Sequence, residues 1–118
     1  MEIPEDIKKS VKAHSIESGE EECCGLLVKD KGKLLALRCN NSAPKEERKQ
    51  RFLISADEYV EASIKYEDLI GVYHSHPEGK NCEFSEGDKK VTKALGICNL
   101  LYVPNIDQFS LLEQSDEQ

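Results

Sequence analysis

The stretch LIGVYHSHPEGKNCEFSEGDKKVTKAL, residues 69–95, constrains the fold most, because a strand, a strand stop and a helix start follow one another within it. Its first residues, LIGVYHSH, predict a strand that runs into the two histidines. Pro77 comes directly after this run and prevents the strand from continuing. Ser85 and Asp88 then have the spacing of an N-terminal capping box, which predicts a helix that begins there.

The rest of the chain alternates between helical and strand patterns in the same way. A turn at Asp30, Lys31 and Gly32 predicts a hairpin between two of the strands. The predicted helices cover residues 4–18, 55–68 and 85–95, and the predicted strands cover residues 23–30, 31–40, 51–55, 69–76, 98–104 and 107–114. This mixture predicts an α/β or α+β layer fold.

Two details of this prediction concern helix faces and the chain end. In the helix over residues 85–95 we expect Val91, Ala94 and Leu95 to form the buried face, because they recur at helical spacing. Residues 115–118 are polar, and we expect them to be frayed.

Composition narrows the class of protein. With 118 residues we expect a single domain over residues 1–118. A formal net charge of -7 argues against nucleic acid as a partner, because phosphates favour a basic surface. The polar N-terminus predicts no signal peptide, and no apolar run approaches the length of a membrane span.

The five cysteines bear on the compartment. Their odd number and the adjacent pair Cys23 and Cys24 make a disulfide framework a poor interpretation, which favours a reducing, cytoplasmic setting. No C-x-x-C pair is present, so a four-cysteine structural zinc site is not indicated.

His74 and His76 are two of the three histidines in the chain. Side chains two positions apart on a strand lie on the same face, so both imidazoles are expected to project the same way. That arrangement suits a pair of metal ligands. It is also compatible with two half-buried histidines at a strand end that bind nothing.

Ser85 and Asp88 likewise have two interpretations. They can simply cap the helix, or the Asp88 carboxylate can complete a set of two histidines and one carboxylate. Three protein ligands with one open position are typical of catalytic zinc sites, and zinc lowers the pKa of bound water to about 7. Cys82 is the other nearby candidate ligand. A general base is also needed, and Glu22, which directly precedes an apolar strand, is a better candidate than Glu20 or Glu21.

Taken together, these separated elements resemble the JAMM, or MPN-plus, zinc metalloproteases. That family has a glutamate before an apolar strand, then His-Ser/Thr-His-Pro, then Ser-x-x-Asp. The sequence agrees with this signature in residue type and in order. The matching elements are Glu22 with Cys24-Gly25-Leu26-Leu27, Gly71 with His74-Ser75-His76-Pro77, and Ser85 with Asp88.

The resemblance implies a role for each matching residue. His74, His76 and Asp88 would bind a zinc ion. Glu22 would take a proton from the zinc-bound water and pass it to the leaving amine, and Ser85 would stabilise the oxyanion. The implied fold is a mixed, curved sheet flanked by helices and related to the cytidine deaminases. A deaminase itself is not expected, because the P-C-x-x-C part of the deaminase signature is absent.

The spacing departs from the family at one point. The family usually has seven residues between the second histidine and the serine, whereas residues 77–84 make eight here. We expect the loop to absorb the extra residue. The longer loop also brings Cys82 into consideration as a fourth zinc ligand.

The short form of the sequence resembles the prokaryotic and phage members of the family. This likeness implies a peptidase or isopeptidase that cleaves near a glycine-containing segment of a small protein, with a ubiquitin-like protein or a phage tail protein as partner. A stand-alone or excised version of a longer tail-assembly protein is also implied. The alternative is a non-enzymatic tail-assembly or scaffold module with a vestigial metal site.

Overall fold

A computed structural model describes residues 1–113 of the chain, which form three α-helices and five strands. A short 3-10 helix, Lys45–Glu47, lies between the second strand and the second helix. The elements, in chain order, are α1 (Glu5–Ser18), β1 (Cys24–Asp30), β2 (Lys33–Cys39), α2 (Ala56–Lys65), β3 (Asp68–Ser75), α3 (Glu86–Leu95), β4 (Cys98–Val103) and β5 (Gln108–Leu112).

Within residues 1–113 the strands form one mixed sheet in the order β2-β1-β3-β4-β5. β3 and β4 are parallel, and the other neighbouring pairs are antiparallel. A parallel pair needs a crossover connection, and α3 provides it. This crossover begins at the end of β3, so the start of α3 lies near the two histidines.

Helices cover both faces of the sheet. On one face, Ile7 and Val11 of α1 pack against Leu27, Tyr73 and other buried residues. The opposite face holds a second buried cluster, in which residues of α2 and the segment before it meet side chains of β1 and β3. The members of that cluster are Cys24, Leu26, Val28, Ile54, Ala62 and Val72. Because side chains alternate along β3, His74 lies on the α2 side and Tyr73 on the α1 side.

Most of the predicted elements are confirmed. The α+β layer fold is present, and the predicted hairpin joins β1 to β2. Lys31 and Gly32 in its turn have positive φ angles of 52° and 78°, which suit a tight hairpin connection. Residues 115–118, predicted to be frayed, lie outside the described residues.

The predicted strand over residues 51–55 is wrong, because this segment has no regular structure. One backbone hydrogen bond joins this segment to residue 42: the Ser42 N–H donates to the Leu53 carbonyl oxygen at 2.7 Å. Neighbouring backbone groups of Arg51 and Leu53 bond instead to the side chain of Asn41. A side chain thus takes the place of a strand ladder.

The predicted buried face of α3 is also wrong. Val91 and Leu95 are 40% and 44% exposed, and Ala94 is exposed as well. The buried residues of the helix are Asp88 and Thr92. Asn99 of β4 donates a hydrogen bond to Thr92 Oγ1 at 3.2 Å, and Thr92 donates to the Asp88 carbonyl oxygen. Polar contacts, rather than apolar packing, therefore set the rotation of this helix.

No helix within residues 1–113 has both the length and the apolar character that a membrane crossing requires.

Gly25 is expected to be required for folding, because a Cβ atom there would overlap the Tyr73 ring and the Leu37 carbonyl oxygen. Gly25→Ala should lower the free energy of unfolding by about 2 kcal/mol or more, as overpacked sites do. Gly87→Ala is the matched control, because its nearest neighbour would be Ser85 Oγ at an ordinary 3.7 Å. Urea unfolding followed by circular dichroism measures both, and equal stability of the two variants would contradict the prediction.

Candidate metal centre

His74 and His76 bring their imidazoles together at the end of β3. Their Nε2 atoms lie 3.2 Å apart. His74 is fully buried, and His76 is partly exposed. His76 follows the last residue of the strand, but its N–H still donates to the carbonyl oxygen of Tyr102 on β4 at 3.0 Å. The sheet therefore fixes the backbone of both residues, and the predicted shared face is confirmed.

Asp88 reaches the histidines because the start of α3 forms a complete capping box. Ser85 Oγ accepts from the Asp88 N–H at 3.1 Å, and the Ser85 N–H donates to Asp88 Oδ2 at 3.1 Å. The same Oδ2 atom lies 3.2 Å from Nε2 of His74 and 3.2 Å from Nε2 of His76. The Asp88 carboxylate therefore both caps the helix and contacts the two histidines.

The surroundings of Asp88 keep it ionised. Burial of the carboxyl opposes ionisation, yet hydrogen bonds from His74 and His76 outweigh this and hold its pKa below the ordinary range of aspartate. Asp88 therefore offers a negative oxygen ligand at neutral pH.

The three ligand atoms fit a metal ion in their spacing. His74 Nε2, His76 Nε2 and Asp88 Oδ2 form a triangle with sides of 3.2 Å. In a tetrahedral zinc site with Zn–N bonds of about 2.0–2.1 Å, neighbouring ligand atoms lie about 3.3 Å apart. The spacing and the chemistry of the donors both suit zinc.

Glu22 is the second carboxylate at the site. It directly precedes β1 and is 5% exposed. One of its carboxylate oxygens and one nitrogen from each of His74 and His76 all lie within 4.8 Å of one another, so this group can also hold a metal ion. Burial, and then the nearby Asp88 carboxylate, raise the pKa of Glu22 to about 8.

The remaining candidates from the sequence lie around this centre. Ser85 is exposed and lines the same pocket, with its hydroxyl oxygen engaged by the helix cap. Cys82 is neither in the group of Glu22, His74 and His76 nor in the pocket lining, and its Sγ donates instead to the carbonyl oxygen of Gln108 on β5 at 3.5 Å. Glu83 is exposed and Glu21 is half-buried, so neither matches the burial of Glu22.

The centre lies in an open pocket of about 420 Å³. One wall comes from residues 42–53, here called the pocket loop, which contributes Lys49, Gln50, Arg51 and Phe52. The Phe52 ring stacks on the His74 ring with centroids 4.7 Å apart. The lining also includes Gly79, Gly87 and Val91.

Neither the pocket loop nor Phe52 was predicted from the sequence as part of the site. The interpretation of residues 51–55 as a strand hid this role. One signal was available in the sequence NNSAP, residues 40–44, which is rich in turn-forming residues and so predicts a loop. It does not predict which part of the structure that loop contacts.

A family model for prokaryotic homologs of the JAB domain matches residues 4–114. The chain belongs to this family. It is a JAMM/MPN-type domain, and the glutamate and histidines assembled here lie within the matched range.

A solved structure is similar to the chain over most of its length. A protein from Salinibacter ruber, known from a solution structure, is similar with a TM-score of 0.52 and 22% sequence identity. The match covers 94% of this chain and 87% of that protein. At this identity the likeness concerns the fold alone. A search of curated proteins gave no match.

Proposed function

We propose that this JAB domain is a zinc-dependent peptidase or isopeptidase. The observation that carries the proposal is the equal 3.2 Å spacing of His74 Nε2, His76 Nε2 and Asp88 Oδ2, with the buried Glu22 beside them. Structural ligand sets are usually closed by a fourth protein ligand, whereas this one opens onto a pocket.

In the proposal His74, His76 and Asp88 hold the zinc ion. When bound there, zinc would supply Lewis-acid activation of a water molecule at neutral pH. We assign Asp88 rather than Glu22 as the third ligand, because its oxygen lies at ligand spacing from both imidazoles.

Glu22 acts as the general base and acid. A zinc ion bound beside it would favour the ionised form of Glu22 and so oppose the effect of burial on its pKa. The carboxylate takes a proton from the attacking water and delivers it to the leaving amine. Burial at the start of β1 holds the group beside the histidines and away from bulk water, which suits proton transfer at a defined place.

Ser85 and Phe52 support the reaction in different ways. The Ser85 hydroxyl oxygen accepts a bond from the backbone of Asp88, so its own proton can be donated to the developing oxyanion. Phe52 covers one side of His74 with an apolar ring and excludes water from it.

The proposed substrate is a flexible, glycine-containing segment of a small protein, in the host cytoplasm or a virion. The pocket lies where β3 and α3 meet, and residues of the pocket loop line part of it. Glycine allows a substrate backbone to approach closely, because it has no side chain to clash with the walls. A ubiquitin-like protein and a phage tail protein both fit this description.

Zinc binding is expected to depend on the three ligands. Purified wild-type protein should contain one zinc per chain. His74→Ala should retain less than about a tenth of it, and Asp88→Ala should retain clearly less than wild type, because each change removes one of the three assigned ligands and only Glu22 is left nearby to replace it. His14→Ala is the control, since His14 bonds to the Tyr73 hydroxyl instead of the centre. Metal analysis by mass spectrometry decides the point, and full zinc in both ligand variants would refute the assignment.

Glu22→Gln is expected to keep its zinc and to lose hydrolysis by about a hundredfold or more, because an amide cannot shuttle a proton. Glu21→Gln, one residue earlier and less buried, should keep wild-type activity. Turnover and zinc content are measured on the same samples. If Glu22→Gln keeps activity within about tenfold of wild type, another residue is the base, and absence of turnover in every form would favour a scaffold module.

Cleavage is expected to follow glycine in the substrate. Zinc-loaded protein should cut small-protein fusions that carry a glycine-rich C-terminal segment, and should cut the same fusions poorly when valine replaces glycine. Mass spectrometry of the products identifies the bond that is broken. Equal cleavage of both sets, or cleavage of a glycine-free protein alone, would show that the substrate class is different.

A further inference from the structure

Asn41 makes an unusually complete set of side-chain contacts next to the candidate centre. Its Nδ2 donates to the carbonyl oxygen of Glu22 at 3.1 Å and to that of Arg51 at 3.0 Å. Its Oδ1 accepts from the N–H of Ala43 at 3.1 Å and from the N–H of Leu53 at 3.2 Å. A carboxamide has two donors and two acceptor positions, and each of them is used here.

These contacts fix the orientation of the Asn41 amide. The nitrogen faces two carbonyl oxygens and the oxygen faces two N–H groups, so a flipped amide would oppose all four partners. They also explain why residues 51–55 form no strand, since backbone groups of Arg51 and Leu53 bond to this side chain.

The four partners belong to two parts of the site. Glu22 carries the proposed base. Ala43, Arg51 and Leu53 belong to the pocket loop, whose Phe52 stacks on His74.

A second contact joins the same two parts. The Glu22 N–H donates to the Arg48 carbonyl oxygen at 2.7 Å. Both main-chain polar groups of Glu22 are therefore tied to the pocket loop. The N–H bonds to the loop directly, and the carbonyl oxygen is linked to it through the Asn41 side chain.

We infer that Asn41 is a positioning residue, which holds the backbone of Glu22 and the pocket loop at one fixed separation. The inference rests on the proposed function for its catalytic consequence. Asn41 does not touch the ligand atoms, so its effect passes through the placement of Glu22 and Phe52. Displacement of a catalytic group by about 1 Å can lower a rate about a hundredfold.

Two substitutions, Asn41→Asp and Asn41→Ala, distinguish the bonds that the amide donates from those that it accepts. Aspartate has the same shape and keeps the oxygen that faces Ala43 and Leu53, but it replaces the donors to Glu22 and Arg51 with a second oxygen. Alanine removes every contact. Asn40 offers a matched control, because it is the adjacent asparagine and its side chain is exposed.

The first measurement needs no substrate. Amide hydrogen exchange followed by NMR should show the N–H groups of Ala43 and Leu53 exchanging at least about tenfold faster in Asn41→Ala than in wild type, because their acceptor is gone. In Asn40→Ala their exchange should be unchanged. Unchanged exchange in Asn41→Ala would overturn the inference, whatever the protein hydrolyses.

The second measurement uses zinc-loaded protein and the cleavable fusion. Asn41→Asp should keep one zinc per chain, lower kcat by at least about tenfold and change KM by less than about twofold, because the base is misplaced while the pocket still binds. Asn40→Asp should match wild type. A purely structural role would reduce the folded fraction but leave kcat per zinc-loaded chain unchanged, and that result would overturn the inference.

The two measurements keep the proposals distinguishable. If wild-type protein hydrolyses nothing, the proposed function fails, and the exchange rates still decide whether Asn41 holds the loop. If wild type is active and Asn41→Asp has the same kcat, only the positioning role fails.

Discussion

One oxygen atom, Oδ2 of Asp88, connects the helix start to the end of β3. It accepts the Ser85 N–H within the cap and lies 3.2 Å from both imidazole nitrogens. The parallel pairing of β3 with β4 makes this meeting possible, because the crossover must begin where β3 ends. That contact holds the buried Asp88 carboxylate of α3 against the end of β3.

The central residues could be predicted because local rules govern them. Strand alternation places His74 and His76 on one face, a capping box places Asp88 in the first turn of α3, and Pro77 separates the two elements. Each rule acts over a few neighbouring residues, so its outcome can be predicted from the sequence alone. Glu22 was identified by its place before an apolar strand and by the family signature, and the structure brings it to the histidines.

The misjudged parts depend on contacts between distant residues. Val91 and Leu95 have the spacing of a buried face, but hydrogen bonds among Asp88, Thr92 and Asn99 turn that face outward. The segment after Arg51 has the composition of a strand, yet Asn41 takes its backbone bonds. Periodicity and propensity cannot register either effect, because both arise only when separate segments meet.

The wide spread of the site along the chain has a consequence for folding. Glu22 and His74 are neighbours only because β1 and β3 pair across an intervening hairpin, loop and helix, with Cys24 opposite His74. Pairings of such sequence separation form late and slowly, since the entropy of closing a long loop must be overcome first. A nascent or partly unfolded chain therefore lacks the assembled centre. The candidate metal centre therefore exists only in molecules that have completed the sheet.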